Sequence, residues 1–169
     1  MNSVTDKKIQ EVLVLALKRK HLKIATAESL TGGMISKMIT EVSGSSAVLE
    51  CGICSYSNRI KHEILGVSME TLEKYSEYSA QTACEMADGV RKLSRADIGI
   101  STTGIAGPGG GSEKKPVGLV YIGISSKLGT FSQKLLLGSG AENERELIRE
   151  QTAQKALEKA LATVEKIPL

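Results

Sequence analysis

The sequence predicts an α/β protein with helices on both faces of a mixed sheet. Short apolar runs such as Ile24-Ala25-Thr26 and Ile98-Gly99-Ile100 alternate along the chain with longer amphipathic stretches. Gly, Ser and Pro punctuate the boundaries between them. At 169 residues and 41% hydrophobic, the chain is long enough to bury a sizeable core. It carries no internal repeat, linker or low-complexity tract and reads as a single domain over residues 1–169.

The elements follow in order. Ile9, Val12, Leu13, Ala16 and Leu17 share one helical face and predict a first amphipathic helix. A strand at 23–26 and a helix at 33–41 come next, and Gly44 opens a turn into a strand over 47–57. Short helices are expected at 59–65 and 69–75. Ser79 caps a longer helix that places Ala80, Ala83, Cys84, Ala87 and Val90 on one face. Residues 98–102 form a buried strand, and 117–126 pairs with 130–137 across the turn Lys127-Leu128-Gly129. A last helix from about residue 143 aligns Ala153, Ala156, Leu157, Ala160, Leu161 and Val164. Gly52, Gly99 and Gly123 inside strands predict close backbone approach.

Composition excludes several function classes. The net charge of +3 is mild and its basic residues are interspersed with acids, so neither nucleic acid nor a membrane is an expected partner. No apolar run approaches the roughly 20 residues of a membrane span, and Met1–Asp6 lacks a secretory layout. A cytoplasmic location is expected. Three cysteines argue against a disulfide framework. Cys51 and Cys54 have redox spacing, but a strand would send them to opposite faces. No metal site is expected, because one further cysteine and two scattered histidines supply ligands poorly.

Three segments carry candidate chemistry. In Lys23-Ile24-Ala25-Thr26-Ala27-Glu28-Ser29-Leu30-Thr31-Gly32-Gly33, a strand runs through a tight turn into a helix start. A hydroxyl there, Ser29 or Thr31, is either a helix cap or a nucleophile whose developing charge the helix N-terminus favours. In Tyr56-Ser57-Asn58-Arg59-Ile60-Lys61, a strand end and a helix turn can aim Tyr56 and Lys61 at one cleft. A lysine buried there would have a lowered pKa suited to a general base, whereas a solvated lysine would not. His62 is a second candidate base. The loop Thr102-Thr103-Gly104-Ile105-Ala106-Gly107-Pro108-Gly109-Gly110-Gly111-Ser112 follows a buried strand, where open α/β sheets place ligands. It matches neither a Walker loop nor a dinucleotide fingerprint. Ser112-Glu113-Lys114-Lys115 has Ser-x-x-Lys spacing but lies in a loop that cannot bring the two onto one face.

Together these segments resemble the CinA C-terminal domain family, whose characterised members are nicotinamide-nucleotide amidases. Thr26–Gly33, Tyr56–Lys61 and Thr103–Gly110 carry the resemblance, with lesser matches at Leu65-Gly66-Val67 and Pro116-Val117-Gly118. It spans residues 9–162. The resemblance implies a three-layer α/β/α sandwich around a mixed, mainly parallel sheet of about five strands. It implies hydrolysis of nicotinamide mononucleotide to nicotinate mononucleotide and ammonia, without metal or organic cofactor. Ser29 would be the nucleophile, Lys61 the base and Tyr56 the residue that orients the pair or relays a proton. Thr31, Gly32 and Gly33 would supply oxyanion donors, and Asn58, Thr103, Gly104, Gly107 and Arg145 would hold the small-molecule nucleotide. A homo-oligomer is compatible with this pattern.

The chain departs from that pattern at two places. Leu30 stands where many members have cysteine, and Glu142-Asn143-Glu144-Arg145 keeps the arginine of a Gly-Asp-Arg motif but not the glycine and aspartate. Arg145, Arg149 and Thr152 keep the family register. Larger members carry an amino-terminal domain linked to nucleotide pyrophosphatase activity, which is not carried over. A catalytically silent nucleotide-binding module and an amidohydrolase of the same fold acting on another carboxamide are the alternative functions.

Overall fold

The computed structural model describes residues 7–169; Met1–Asp6 lies outside the described residues. Five strands form one sheet in the order β2-β1-β3-β4-β5. They are β1 (Ile24–Glu28), β2 (Leu49–Cys54), β3 (Ile98–Gly104), β4 (Leu119–Ser126) and β5 (Gly129–Leu136). β1 pairs in parallel with β2 and β3, and β4 is antiparallel to both β3 and β5. Four strands therefore point one way and β4 alone runs back. β1 and β3 are buried along their whole length, as strands covered on both faces must be.

Two core clusters show how the layers form. On one face, α1 (Ile9–Arg19), α2 (Met34–Thr40) and α6 (Arg145–Lys166) cover Ile24, Ile98, Ile100, Val120, Ile122 and Ile124. On the other, α4 (Met69–Tyr75) and α5 (Ala80–Ser94) cover Ala25 and Ala27 with Leu72, Met86 and Val90. α3 (Asn58–Glu63) lies between β2 and α4 in sequence. Large side chains thus fill the α1/α6 face and small ones the α5 face. A Cβ at Gly99 would stand 2.2 Å from the Ala87 carbonyl oxygen, and one at Gly123 would stand 2.3 Å from that of Ala83. α5 rides directly on the strand backbones, which is the close approach those glycines predicted. Truncating a fully buried side chain such as Leu157 to Ala would cost about 2–5 kcal/mol.

Element boundaries differ from expectation in informative ways. β2 begins at Leu49, because Gly44 (φ 77°) starts a 3-10 turn over Ser45–Ala47. It ends at Cys54, where the Ser57 hydroxyl caps α3 by accepting from the Ile60 N–H. β1 continues to Glu28, two residues beyond the predicted end. α6 starts at Arg145 because Asn143 has φ 61°, outside the helical region. No described helix is long and apolar enough to cross a membrane.

Candidate active site

The carboxyl ends of β1, β2 and β3 lie side by side, and the segments that leave them build one cleft of about 140 Å³. Ser29 leaves β1, Tyr56 and Lys61 follow β2, and the glycine loop follows β3. This is the edge of an open α/β sheet at which ligands bind. The sheet order explains why three segments far apart in sequence meet: β1 sits between its two parallel neighbours.

Glu28, the last residue of β1, is fully buried and shapes the turn. Its carboxylate accepts from the N–H groups of Gly33 (3.0 Å), Ile35 (3.0 Å) and Ser36 (2.9 Å). It also accepts from the hydroxyls of Thr31 (2.7 Å), Ser36 (2.9 Å) and Thr26 (3.2 Å). A buried carboxylate needs such partners, and the first N–H groups of α2 would otherwise go unpaired. The arrangement removes two of the three expected oxyanion donors. The Gly33 N–H is committed to Glu28, and the Gly32 N–H donates to the Ser29 carbonyl at 3.1 Å. Thr31 is fully buried, with its hydroxyl also 2.8 Å from that of Thr102. Gly32 and Gly33 line a different, larger groove of about 910 Å³ between α2 and α6.

Ser29 is 7% exposed and lines the cleft. Its N–H donates to the Thr102 carbonyl at 3.0 Å, which ties the turn to β3. Lys61 is only 1% exposed, so the solvated alternative for this lysine is excluded. Its Nζ donates to Ser29 Oγ at 3.2 Å, to the Ser55 carbonyl at 2.8 Å and to the Tyr56 carbonyl at 3.4 Å. Burial pushes its pKa down to about 8, against a smaller upward pull from the Glu77 carboxylate. When the lysine is neutral, two N–H bonds can remain on the carbonyls while the lone pair faces Ser29. The pair is thus arranged for proton transfer out of the serine.

Tyr56 acts differently from expectation. Its backbone carbonyl, not its ring, touches Lys61, and the side chain is 63% exposed. The phenol oxygen accepts from Arg145 Nη2 at 3.0 Å, while Arg145 Nη1 donates to the Gly107 carbonyl at 2.7 Å. Arg145 therefore joins the Tyr56 segment to the glycine loop at the rim of the cleft. Asn58, Gly104 and Gly107 also line it. Thr103 does not: it is buried, and its hydroxyl donates to the Glu77 carbonyl at 2.7 Å. The loop needs glycine at position 107 (φ 76°), where a Cβ would come within 2.6 Å of Val117 Cγ1. His62 is exposed, with Nδ1 2.7 Å from the Val67 carbonyl oxygen, and lies outside the cleft.

Three residues of the site escaped the sequence reading. Glu77 and Tyr78 line the cleft from the turn between α4 and α5. No periodicity marks that turn, although Ser76 and the Ser79 cap frame it. Arg149, noted only for its register, donates from Nε to the Leu30 carbonyl (3.0 Å) and from Nη2 to the Thr31 carbonyl (3.2 Å). It clamps the turn after Ser29 from α6. The thiols stand apart from this chemistry. Burial pushes the Cys51 and Cys54 pKa values up, with the Glu28 charge adding to the effect at Cys54. Neither is the depressed thiol that redox chemistry requires. Among the described residues, no cluster of His, Cys, Asp and Glu could hold a metal ion.

Comparison with known proteins adds to this geometry. The CinA C-terminal domain model matches residues 6–164. A protein of Thermoanaerobacter sp. (strain X514) with a competence-damage inducible name is 47% identical over 156 residues, covering 92% of this chain and 37% of the relative. A CinA-like protein of Kosmotoga olearia is 45% identical over 155 residues, again covering 92% and 37%. The chain thus spans little more than a third of the length of these curated relatives. Among solved structures, the competence/damage inducible protein CihA from Agrobacterium tumefaciens superposes with a TM-score of 0.87 at 38% identity, covering 98% of this chain and 100% of that one. A CinA superfamily protein from Klebsiella pneumoniae superposes with a TM-score of 0.88 at 26% identity, covering 94% and 97%.

Proposed function

Because this chain belongs to the CinA C-terminal domain family, we propose that it is a nicotinamide-nucleotide amidase forming one amidase domain over residues 1–169. The reaction is hydrolysis of nicotinamide mononucleotide to nicotinate mononucleotide and ammonia. The observation that carries this reading is the buried Lys61–Ser29 contact of 3.2 Å, with the lysine pKa lowered to about 8. A serine hydroxyl beside a lysine that is partly neutral near pH 7 is an activated nucleophile.

In the proposed mechanism, Ser29 Oγ attacks the carboxamide carbon and Lys61 Nζ takes its proton. The tetrahedral oxyanion accepts from the Leu30 N–H, on the turn that Arg149 clamps through the Leu30 carbonyl. Collapse breaks the carbon–nitrogen bond, and Lys61 returns its proton to the departing nitrogen, which leaves as ammonia. Water then adds to the Ser29 ester as Lys61 accepts its proton. The bond between the acyl carbon and Ser29 Oγ breaks, Lys61 returns the proton to Oγ, and the nicotinate nucleotide departs. Arg145 grips the phosphate at the rim, and the glycine loop with Asn58 holds the sugar.

Ammonia release from nicotinamide mononucleotide by the purified protein tests the reading. Stoichiometric appearance of nicotinate mononucleotide supports it. Binding without turnover would make the protein the silent nucleotide-binding module instead. Turnover of other carboxamides in preference would make it a different amidohydrolase.

A further inference from the structure

Glu77 is a half-buried carboxylate in the cleft wall that the mechanism above does not use. No ion pair among the described residues includes it. Lys115, which reaches the same turn, is committed to the Tyr75 carbonyl and the Ser76 hydroxyl. The Thr103 hydroxyl holds the Glu77 backbone at 2.7 Å, which fixes the residue against the end of β3. It lines the same small cleft as Ser29 and Lys61, and its charge pulls the Lys61 pKa upward. Arg145, the cleft's guanidinium, stands at the rim between Tyr56 and Gly107.

With Lys61 neutral in its working form, the cleft therefore presents a negative group near the amide end and a positive group at the rim. Leaving a carboxylate in a partly desolvated wall without a cation is unfavourable unless a ligand supplies one. The geometry points to Glu77 as the residue that selects a substrate whose carboxamide ring carries a positive charge, an assignment that rests on the amidase reading above. Nicotinamide mononucleotide is a zwitterion, with a quaternary pyridinium nitrogen at one end and a phosphate at the other. Its two charges match Glu77 and Arg145 in order. Tyr78 also lines the cleft beside Glu77, and aromatic side chains attract cations. The Glu77 carboxylate hydrogen-bonds the Tyr78 hydroxyl but has no cation, and a neutral carboxamide would supply none, so the wall favours the cationic ring.

Paired ligands test this. Nicotinamide mononucleotide is compared with the benzamide C-riboside 5′-phosphate, in which carbon replaces the ring nitrogen and the ring is neutral. Affinities are measured on Ser29→Ala protein, which cannot turn either over, with and without Glu77→Gln. The Glu77→Gln change should weaken the cationic ligand by about tenfold, the usual worth of a charged contact, and the neutral one by less than about twofold. Equal weakening of both ligands overturns the assignment, since a structural loss does not read ring charge. Should Glu77→Gln fail to fold, the Ser29→Ala protein carries the test alone: it should prefer the cation by at least about tenfold, and equal affinities overturn the assignment. Ammonia release by the parent alongside equal affinities sinks only the role of Glu77. Binding of neither ligand, with no ammonia released by the parent, overturns the amidase reading together with this assignment.

Discussion

Lys61 Nζ lies 3.2 Å from Ser29 Oγ, across 32 positions of sequence, inside a protein that leaves the lysine 1% exposed. An isolated buried ammonium would be costly, and here three oxygens surround it, two of them backbone carbonyls. The fold maintains a lysine where it can lose its proton and a serine where it can give one.

Ser29→Ala should keep the fold, since the Thr102 contact uses the Ser29 backbone N–H. Turnover should fall at least about 10³-fold, as loss of a covalent nucleophile generally causes. Cys51→Ala, Cys54→Ala and Cys84→Ala should each stay active. Ammonia release and circular dichroism on the four variants check this, and a folded, fully active Ser29→Ala protein would overturn the serine mechanism.

Activity should rise with pH and level off above about 8, the pKa of Lys61 in the folded protein. Only the neutral amine can accept the serine proton, so the limb reports its deprotonation. Lys61→Arg keeps the charge but cannot release a proton, and should be nearly as inactive as Lys61→Ala. A kcat/KM profile for parent and variant decides. Full activity in the arginine variant would leave Lys61 only an electrostatic role.

The same lysine makes stability depend on pH. Its pKa is about 8 in the folded protein against 10.5 for a lysine free in water. Below pH 8 it is charged in both states and its burial cost is fully present. Between 8 and 10.5 the unfolded chain holds more protons than the folded one, so stability rises with pH. Relative to Lys61→Met, the parent should gain up to about 1.4 kcal/mol per pH unit across that window. Urea unfolding of both proteins at pH 7 and 9.5 measures it, and a constant difference would contradict the buried ammonium.

Arg145 bridges Tyr56 and Gly107. If it also grips the substrate phosphate, Arg145→Ala should lower kcat/KM for nicotinamide mononucleotide by about 1.5–3 kcal/mol. The phosphate-free riboside should be a poor substrate of the parent and little affected by the change. Steady-state kinetics on both substrates separate the outcomes. Equal losses would assign Arg145 to the cleft rim alone, through its contact with Tyr56.

What the sequence determined by itself is local: apolar period, turn chemistry and caps within one segment. Those signals located Ser29 at the end of β1, the helices over Asn58–Glu63 and Ala80–Ser94, and the glycines under α5. What only the tertiary structure decided is which groups remain free once distant segments meet. Gly32 and Gly33 look like oxyanion donors until Glu28 and the Ser29 carbonyl take their N–H groups. Tyr56 looks like a relay until its ring turns outward to Arg145. Glu77 carries no motif, and it enters the cleft because Thr103 at the end of β3 holds its backbone. Lys61 by itself reads more readily as solvated than as buried, until the parallel order β2-β1-β3 sets its helix beside Ser29. Backbone propensity acts over a few residues, whereas burial and hydrogen-bond competition depend on which strands become neighbours.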